Sequence, residues 1–408
     1  MTLGLSGCGG GGVGSGDVNL TMIVAEYGEP KKPNTHVDLF WSQVVEEYES
    51  THPGTTITVK PMSWSVVDKT VKELVEKGEA PDMAQIGGYS DFAAEGKLYS
   101  ADELLSIPTQ ADFLPKLAQA GELNRVQYGM PFASSTRALF YNKKMFRDAG
   151  LSAPTTWEEL KSAAQTLKAQ GVQYPYALPL GYEEAQAETM LWTLSADGGY
   201  TDSANSYAIA SKENVKTLTW LRDNLVTPGL VGPVPAGKLD RQAAFTAFEQ
   251  GKVGMLNGHP TLMKNAERAG VEVGKVAIPG PKGPAQSTMA VADWMMGFKQ
   301  NGHRKEIGEF LDFLYQPKNI LAFSKKYDIL PVTNTAFQKM SDDPKHKDLK
   351  TFLEALPNAQ LPPVNKTTWP SVAEAVKKSI GGTVAKDGDP ESVLGRIERD
   401  ATAAENAE

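Results

Sequence analysis

Residues 131–148 read PFASSTRALFYNKKMFRD. The apolar run Ala138, Leu139, Phe140 and Tyr141 has the aromatic-rich composition of a strand. Asn142 follows it, and an Asn side chain in front of a helix can accept a hydrogen bond from the first free backbone N–H groups. Met145 and Phe146 then give that helix its apolar side. Between the leading Pro131-Phe132-Ala133 and this strand lie Ser134, Ser135, Thr136 and Arg137, a polar interruption inside an otherwise apolar segment.

Upstream of this stretch the chain alternates strand and helix. NLTMIVAEYGEP, from Asn19, is a buried strand ending in a loop, and HVDLFWSQVVEEYESTHPG is a helix with Phe40, Val44 and Tyr48 at helical spacing. TTITVKPM alternates as a second strand, VDKTVKELVEKGEAPD is a second amphipathic helix, and MAQIGG is a short third strand. Strand–helix–strand–helix–strand opens an α/β sheet. Ligands of such sheets lie beyond the carboxyl ends of the strands, which singles out Glu26-Tyr27, Ser63-Trp64 and Gly88-Tyr89-Ser90.

Downstream the chain is more helical. In APTTWEELKSAAQTLKAQG, Thr156 and Glu159 stand at capping-box spacing before a stripe of Trp157, Leu160, Ala164 and Leu167. QAAFTAFEQGKVGML runs from a helix through Gly251 into a strand, and RKEIGEFLDFLYQP is a helix with Ile307, Phe310 and Leu314 inward. The segment from Val372 supplies the C-terminal helices. No repeat of 20–50 residues is present, and no Pro/Ser-rich linker marks a boundary, so strands are expected to cross between two units.

The 408 residues suggest two or three domains at roughly 150 residues each. A formal charge of -8 and the lack of a basic stripe argue against nucleic acid. No apolar run reaches the ~18 residues of a membrane-spanning helix. The five histidines form no paired metal-ligand set. No GxSxG elbow, phosphate-binding lysine loop or GxGxxG after a strand occurs, and GPKGPAQS is a turn. The reading therefore expects no catalytic residues, no metal and no cofactor.

Residues 131–148 resemble the signature of the family 1 extracellular solute-binding proteins of bacterial ABC transporters, through Pro131-Phe132-Ala133, Ala138, Leu139-Phe140-Tyr141-Asn142, Phe146 and Asp148. Other landmarks resemble the family in order: PDMAQIGG, EGKLYSADELL as the loop after it, PTTWEELKSAA, ADGGY, FEQGKVGM, ILPVTN and Trp369. The resemblance runs from Val18 to about Ala401. It implies a two-lobed α/β fold of the type II periplasmic-binding-protein kind, each lobe a mixed sheet flanked by helices, with a ligand cleft at the hinge. The boundaries it implies are 1–17 as lipobox and tether, 18–132 plus about 291–331 as the N-terminal lobe, and about 133–290 plus 332–408 as the C-terminal lobe. The implied function is the extracellular substrate-binding component of an ABC importer. It captures a carbohydrate, expected to be an oligosaccharide, by hinge closure and delivers it to membrane permease subunits as a monomer. A binder of a glycerophosphodiester or other anionic polar solute is the alternative, and a glycan-processing enzyme the more distant one.

Sugar recognition needs flat apolar faces and planar polar groups. Trp369 resembles the aromatic that the maltose-binding branch uses as a stacking floor. Trp64 follows a strand end, and Trp294 with Asp293 lies in VADWMMGF near the hinge; for each a packing or turn-capping role is the rival. Trp41, Trp157 and Trp220 fall on helices and read as packing. Tyr89 and Ser90 occupy a loop where relatives place polar contacts, and Glu26 and Tyr27 end the first strand. Ser135 stands where the maltose-binding branch has a carboxylate, with Arg137 two places on, able to grip hydroxyls, an anionic group or a surface acid. His259 replaces an aromatic after the strand GMLNG, with a capping role as its rival. Tyr182, Glu183, Glu188 and Trp192 precede ADGGY where the same branch presents acid and aromatic contacts.

The single cysteine, Cys8, closes Leu5-Ser6-Gly7-Cys8, which fits a lipobox, and the glycine run behind it reads as a flexible tether. The expectation is an exported lipoprotein anchored to the outer face of the cytoplasmic membrane through Cys8; a tail with an incidental cysteine is the plainer reading. Seven residues precede Cys8 without a basic or full apolar region, so a trimmed start or one lying further upstream is expected.

Overall fold

The structure, a computed structural model, describes residues 17–28 and 35–407. Cys8 and its glycine run lie outside the described residues.

Strand β1 (Val18–Ala25) carries Leu20, Met22, Ile23 and Val24 fully inside the protein. A strand buried on both faces needs a continuous apolar run, and helices on both sides of a parallel sheet create that condition. It pairs in parallel with β2 (Thr55–Met62) and β3 (Met83–Ile86), with Met22 opposite both Val59 and Met83. The helices Asp38–Thr51 and Val67–Glu76 make the crossovers, burying Phe40, Trp41, Val44 and Tyr48, and Val67, Val71 and Val75 respectively. The loop expected in EGKLYSADELL contains a single helical turn, Ala101–Leu104. Ser100 and Glu103 cap it reciprocally, a spacing legible in SADE.

A small hairpin, β4 (Glu122–Leu123) and β5 (Val126–Gln127), turns through Asn124 and Arg125 at φ 53° and 65°. The chain then enters β6 (Met130–Thr136) and, after Arg137 alone, β7 (Ala138–Asn142). The strands β8 (Tyr174–Tyr176), β9 (Val253–Gly258), β10 (Val273–Val276) and β11 (Ala290–Gly297) follow. Two sheets result, ordered β2-β1-β3-β11-β6 and β10-β7-β9-β8. The first mixes three parallel strands with the antiparallel β11; the second pairs β7 antiparallel with β9 and β10, and β8 parallel with β9. Both sheets are flanked by helices, and none of the helices described is long and apolar enough to cross a membrane.

Two apolar clusters fill the molecule. One covers the first sheet and extends to one face of the second through Phe140, Phe248 and Phe352. The other fills the opposite face of the second sheet, with Trp157, Trp192, Trp369 and Ile380. The expected caps are in place: Thr156 and Glu159 form a full capping box on the helix Trp157–Ala169, and Asn142 Oδ1 accepts from the Met145 N–H at 3.1 Å. Asn142 is buried, so removing its oxygen leaves that donor unsatisfied. Asn142→Ala should lower unfolding free energy by about 1 kcal/mol, read as a lower urea midpoint at unchanged slope; an unchanged midpoint would show that water caps this helix equally well.

Candidate functional site

The sheet architecture gathers one cleft at the carboxyl ends of β1 and β2 and along the two strands that run toward the second sheet. Tyr27 and Trp64, Ser135 and Arg137, Asp293, and His259 all line it, and its open space is about 170 Å³. That is below the roughly 300–1,000 Å³ of pockets that engulf drug-sized ligands, so a long solute must extend beyond it or the walls must part.

One wall is aromatic. Tyr27 meets Trp64 edge-on at 5.7 Å and 80°, and leans on Phe323 and Tyr327 at 5.1 and 5.5 Å. Tyr27 is thus anchored from behind, whereas Trp64 keeps 38% of its surface open. The other wall is polar and buried. Asp293 receives the Gln85 Nε2–H on Oδ2 at 3.1 Å, and Gln85 Oε1 in turn accepts the Ala25 N–H at 3.0 Å. That second bond fixes which end of the Gln85 amide faces the acid. Burial pushes the Asp293 carboxyl well above the usual carboxylate range, so a proton or a ligand hydroxyl is a favoured partner.

Register brings Arg137 beside His259. Ala138 pairs with Gly258, so the residue before β7 faces the residue after β9. Arg137 Nη1 donates to Ser135 Oγ at 2.9 Å and to the Thr136 carbonyl at 3.4 Å. Burial, with Arg137 and Arg241 nearby, holds the His259 imidazole well below its ordinary pKa and therefore neutral. Its ring stands 5.2 Å from Phe245, at the entry of the helix Pro260–Arg268.

Arg137 also walls a small crevice shared with Glu184, Glu188, Arg241 and Asn257. Arg241 pairs with Glu184 through Nε and with Glu183 at 3.1 Å through Nη2. Glu188 Oε1 accepts from Trp192 Nε1 at 2.9 Å, Asn257 Nδ2 at 2.9 Å and the Tyr176 hydroxyl at 3.3 Å. These donors lower its pKa, but burial outweighs them and pushes the carboxyl up to about 7.

Six of the residues singled out from sequence thus meet in the cleft: Tyr27, Trp64, Ser135, Arg137, His259 and Asp293. Others do not line it. Trp369 stands in the second apolar cluster, 8% exposed, with its ring 5.0 Å from Tyr200. Trp294 is fully buried, because successive residues of β11 face opposite ways: Asp293 turns to the cleft and Trp294 to the core. There Trp294 packs edge-on against Tyr89 at 5.2 Å. Both rings close over Gly129, where a Cβ would come within 2.9 Å of either. The Tyr89 hydroxyl donates to the Ala120 and Glu122 carbonyls, and Ser90 is buried as the first residue of the helix Ser90–Ala94. Glu26 Oε1 accepts the Gly28 and Val37 N–H groups, a turn-capping role. Tyr182 is exposed and donates to Glu374 at 2.6 Å. Glu188 lies in the crevice rather than the cleft.

Asp328 and Thr261 line the cleft without having been singled out. Asp328 arrives because Leu330 exchanges both backbone hydrogen bonds with Ser134 of β6, a contact 196 residues apart in sequence. Its left-handed φ of 52° ends the helix Pro317–Tyr327, and an Asp after the KKY helix end was the available signal. Thr261 carried no signal of its own.

Residues 32–320 match the family described as bacterial extracellular solute-binding protein. A Brucella abortus protein named as a binding protein is 28% identical, covering 96% of this chain and 93% of its own. The multiple sugar-binding protein of Streptococcus mutans is 23% identical, covering 75% of this chain and 74% of its own. The crystal structure of the cyclic α-maltosyl-1,6-maltose binding protein from Arthrobacter globiformis superposes with a TM-score of 0.80 at 20% identity, covering 95% of this chain and 99% of the other. The fold is therefore the two-lobed one.

The crevice makes a stability prediction. The folded protein keeps a proton on Glu188 up to about pH 7, whereas an unfolded glutamate releases it near 4.3. Stability from this group is full below the unfolded value and is lost as pH rises toward 7. Glu188→Gln should therefore gain on the parent protein by roughly 2–3 kcal/mol between pH 5 and pH 8, measured by urea unfolding at both. Parallel pH profiles would refute this.

Proposed function

The chain belongs to the bacterial extracellular solute-binding proteins, and from that premise we propose that it is the substrate-binding component of an ABC importer that captures a carbohydrate in the Tyr27–Trp64–Asp293 cleft. The observation that carries the reading is the pairing of an open aromatic edge with a buried, oriented carboxyl in that cleft. A sugar ring offers both complements: its C–H faces stack on aromatic side chains, and its hydroxyls donate to acids and accept from amide and guanidinium N–H groups. The names of the Streptococcus mutans and Arthrobacter globiformis relatives point the same way, toward sugars and an oligosaccharide. The small cleft volume fits an oligosaccharide bound with one end inserted.

In this reading the lobes are residues 18–132 with about 291–331, and about 133–290 with 332–408. They close around the solute by hinge motion at the strand crossings. The closed monomer then presents both lobes to its permease and releases the solute unchanged. Export and lipidation at Cys8 would hold it at the outer face of the membrane, with the glycine run as tether.

A thermal-shift screen against mono- and oligosaccharides tests the reading, because a solute bound only by the folded state adds about 2.7 kcal/mol at 100 times its Kd. No shift with any saccharide, or product formation on incubation, would overturn it. Trp64→Ala should weaken the affinity for the best saccharide at least 10-fold, about 1.4 kcal/mol, with an unchanged melting temperature. Trp369→Ala should do the reverse, costing about 3–5 kcal/mol of stability for a large buried aromatic while calorimetry on the folded fraction gives the parent Kd. The opposite pattern would make Trp369 the stacking floor.

A further inference from the structure

Arg137 has five N–H donors, and among the described residues its partners are two neutral oxygens, both reached by Nη1. Among the described residues no carboxylate stands within 4.0 Å of it, whereas Arg147 is paired with Glu272 and Arg241 with Glu183 and Glu184. The Nε–H and Nη2–H edge therefore donates to no atom of the described residues, and Arg137 lines the cleft.

Among the described residues the surrounding groups form no ion pair with it. Glu184 is engaged by Arg241, Glu188 by three donors of its own, and His259 carries no charge. Burial opposes the Arg137 charge, and Glu184 and Glu188 favour it from across the crevice without pairing with it. Arg137 is half-buried, so this edge stays open to the cleft and to a ligand there. Its parallel Nε and Nη2 donors match the two oxygens of a carboxylate or phosphate, which bridge both at once.

Resting on the carbohydrate reading above, we propose that the solute is an acidic saccharide, whose oxyanion seats on the Nε/Nη2 edge of Arg137 while its hydroxyls face Asp293. The oxyanion is a carboxylate, as on a uronic acid, or a phosphate ester.

The test is calorimetry on the full chain with matched pairs: glucose, galactose and mannose against their uronates and 6-phosphates, and neutral disaccharides against diuronates. The expected result is an acidic member binding at least 10-fold more tightly than its neutral partner. The uronate and phosphate arms decide which oxyanion. Arg137→Gln should weaken the acidic ligand about 10- to 100-fold, the range of a charge-assisted hydrogen bond worth ~1.5–3 kcal/mol. The same variant should weaken the neutral partner by a clearly smaller factor, so that the ratio of acidic to neutral affinity falls. Arg137→Lys keeps the charge without the fork and should lose most of the preference, which keeps the test open where the glutamine variant does not fold. Equal binding of both members, equal losses in the variant, or no binding across the panel would overturn the proposal. Glycerol 3-phosphate binding that depends on Arg137, with every saccharide silent, would instead overturn the carbohydrate reading and leave the oxyanion seat.

Discussion

One residue separates a strand of the first sheet from a strand of the second. β6 ends at Thr136 and β7 begins at Ala138, so the two sheets are held at the distance a single extended residue can span. The backbone here is also tied from the side, since Thr288 donates to the Arg137 carbonyl at 3.1 Å and Leu330 pairs with Ser134. A long linker would let the sheets tumble independently; a single residue at this crossing holds their strand ends together. The cleft lies beside it, with its polar groups on the crossing strands and its aromatic groups at the carboxyl ends of β1 and β2.

The polar residues at this crossing divide in two. Phe132, Ala133, Ala138 and Phe140 on either side share one apolar cluster; between them the buried Ser134 and Thr136 hydroxyls donate to the Leu330 and Phe352 carbonyls, and the half-buried Ser135 and Arg137 face the cleft. Asp293 stands on β11 beside β6, opposite Ala133. Polar groups are thus gathered at the crossing, and the oxyanion proposed for the solute would seat among them.

Much of this was legible in sequence, because local signals coincide with the global fold. Alternation in TTITVKPM, helical spacing in α/β crossovers and caps at Asn142 and Thr156 all describe contacts within a few residues of one another. Strand ends could be read as well, which is why Tyr27 and Trp64 were found. What was not legible depends on direction. Asp293 and Trp294 are neighbours in sequence, yet one faces the cleft and the other the core. The pairing partner slips between them, because β6 carries Phe132 as an extra residue, and the cross-strand register therefore does not follow a fixed step. Tyr89 follows a strand end as Trp64 does, but the space over Gly129 draws its ring inward. Asp328 needs a backbone pairing across the whole chain. Trp369 carries a familiar aromatic signature, and its environment in the second apolar cluster is set by the distant Tyr200.

The hydrogen-bonded line from the Ala25 backbone through Gln85 to Asp293 links the ends of β1 and β3 to the middle of β11. Its consequence is thermodynamic. Both rotamer-rich side chains lose their freedom when the protein folds, so none of that entropy remains to be lost when a solute arrives. An acid held this way acts as a rigid reference point, and discrimination between solutes falls to how well each hydroxyl arrangement meets it, since the acid itself does not adapt.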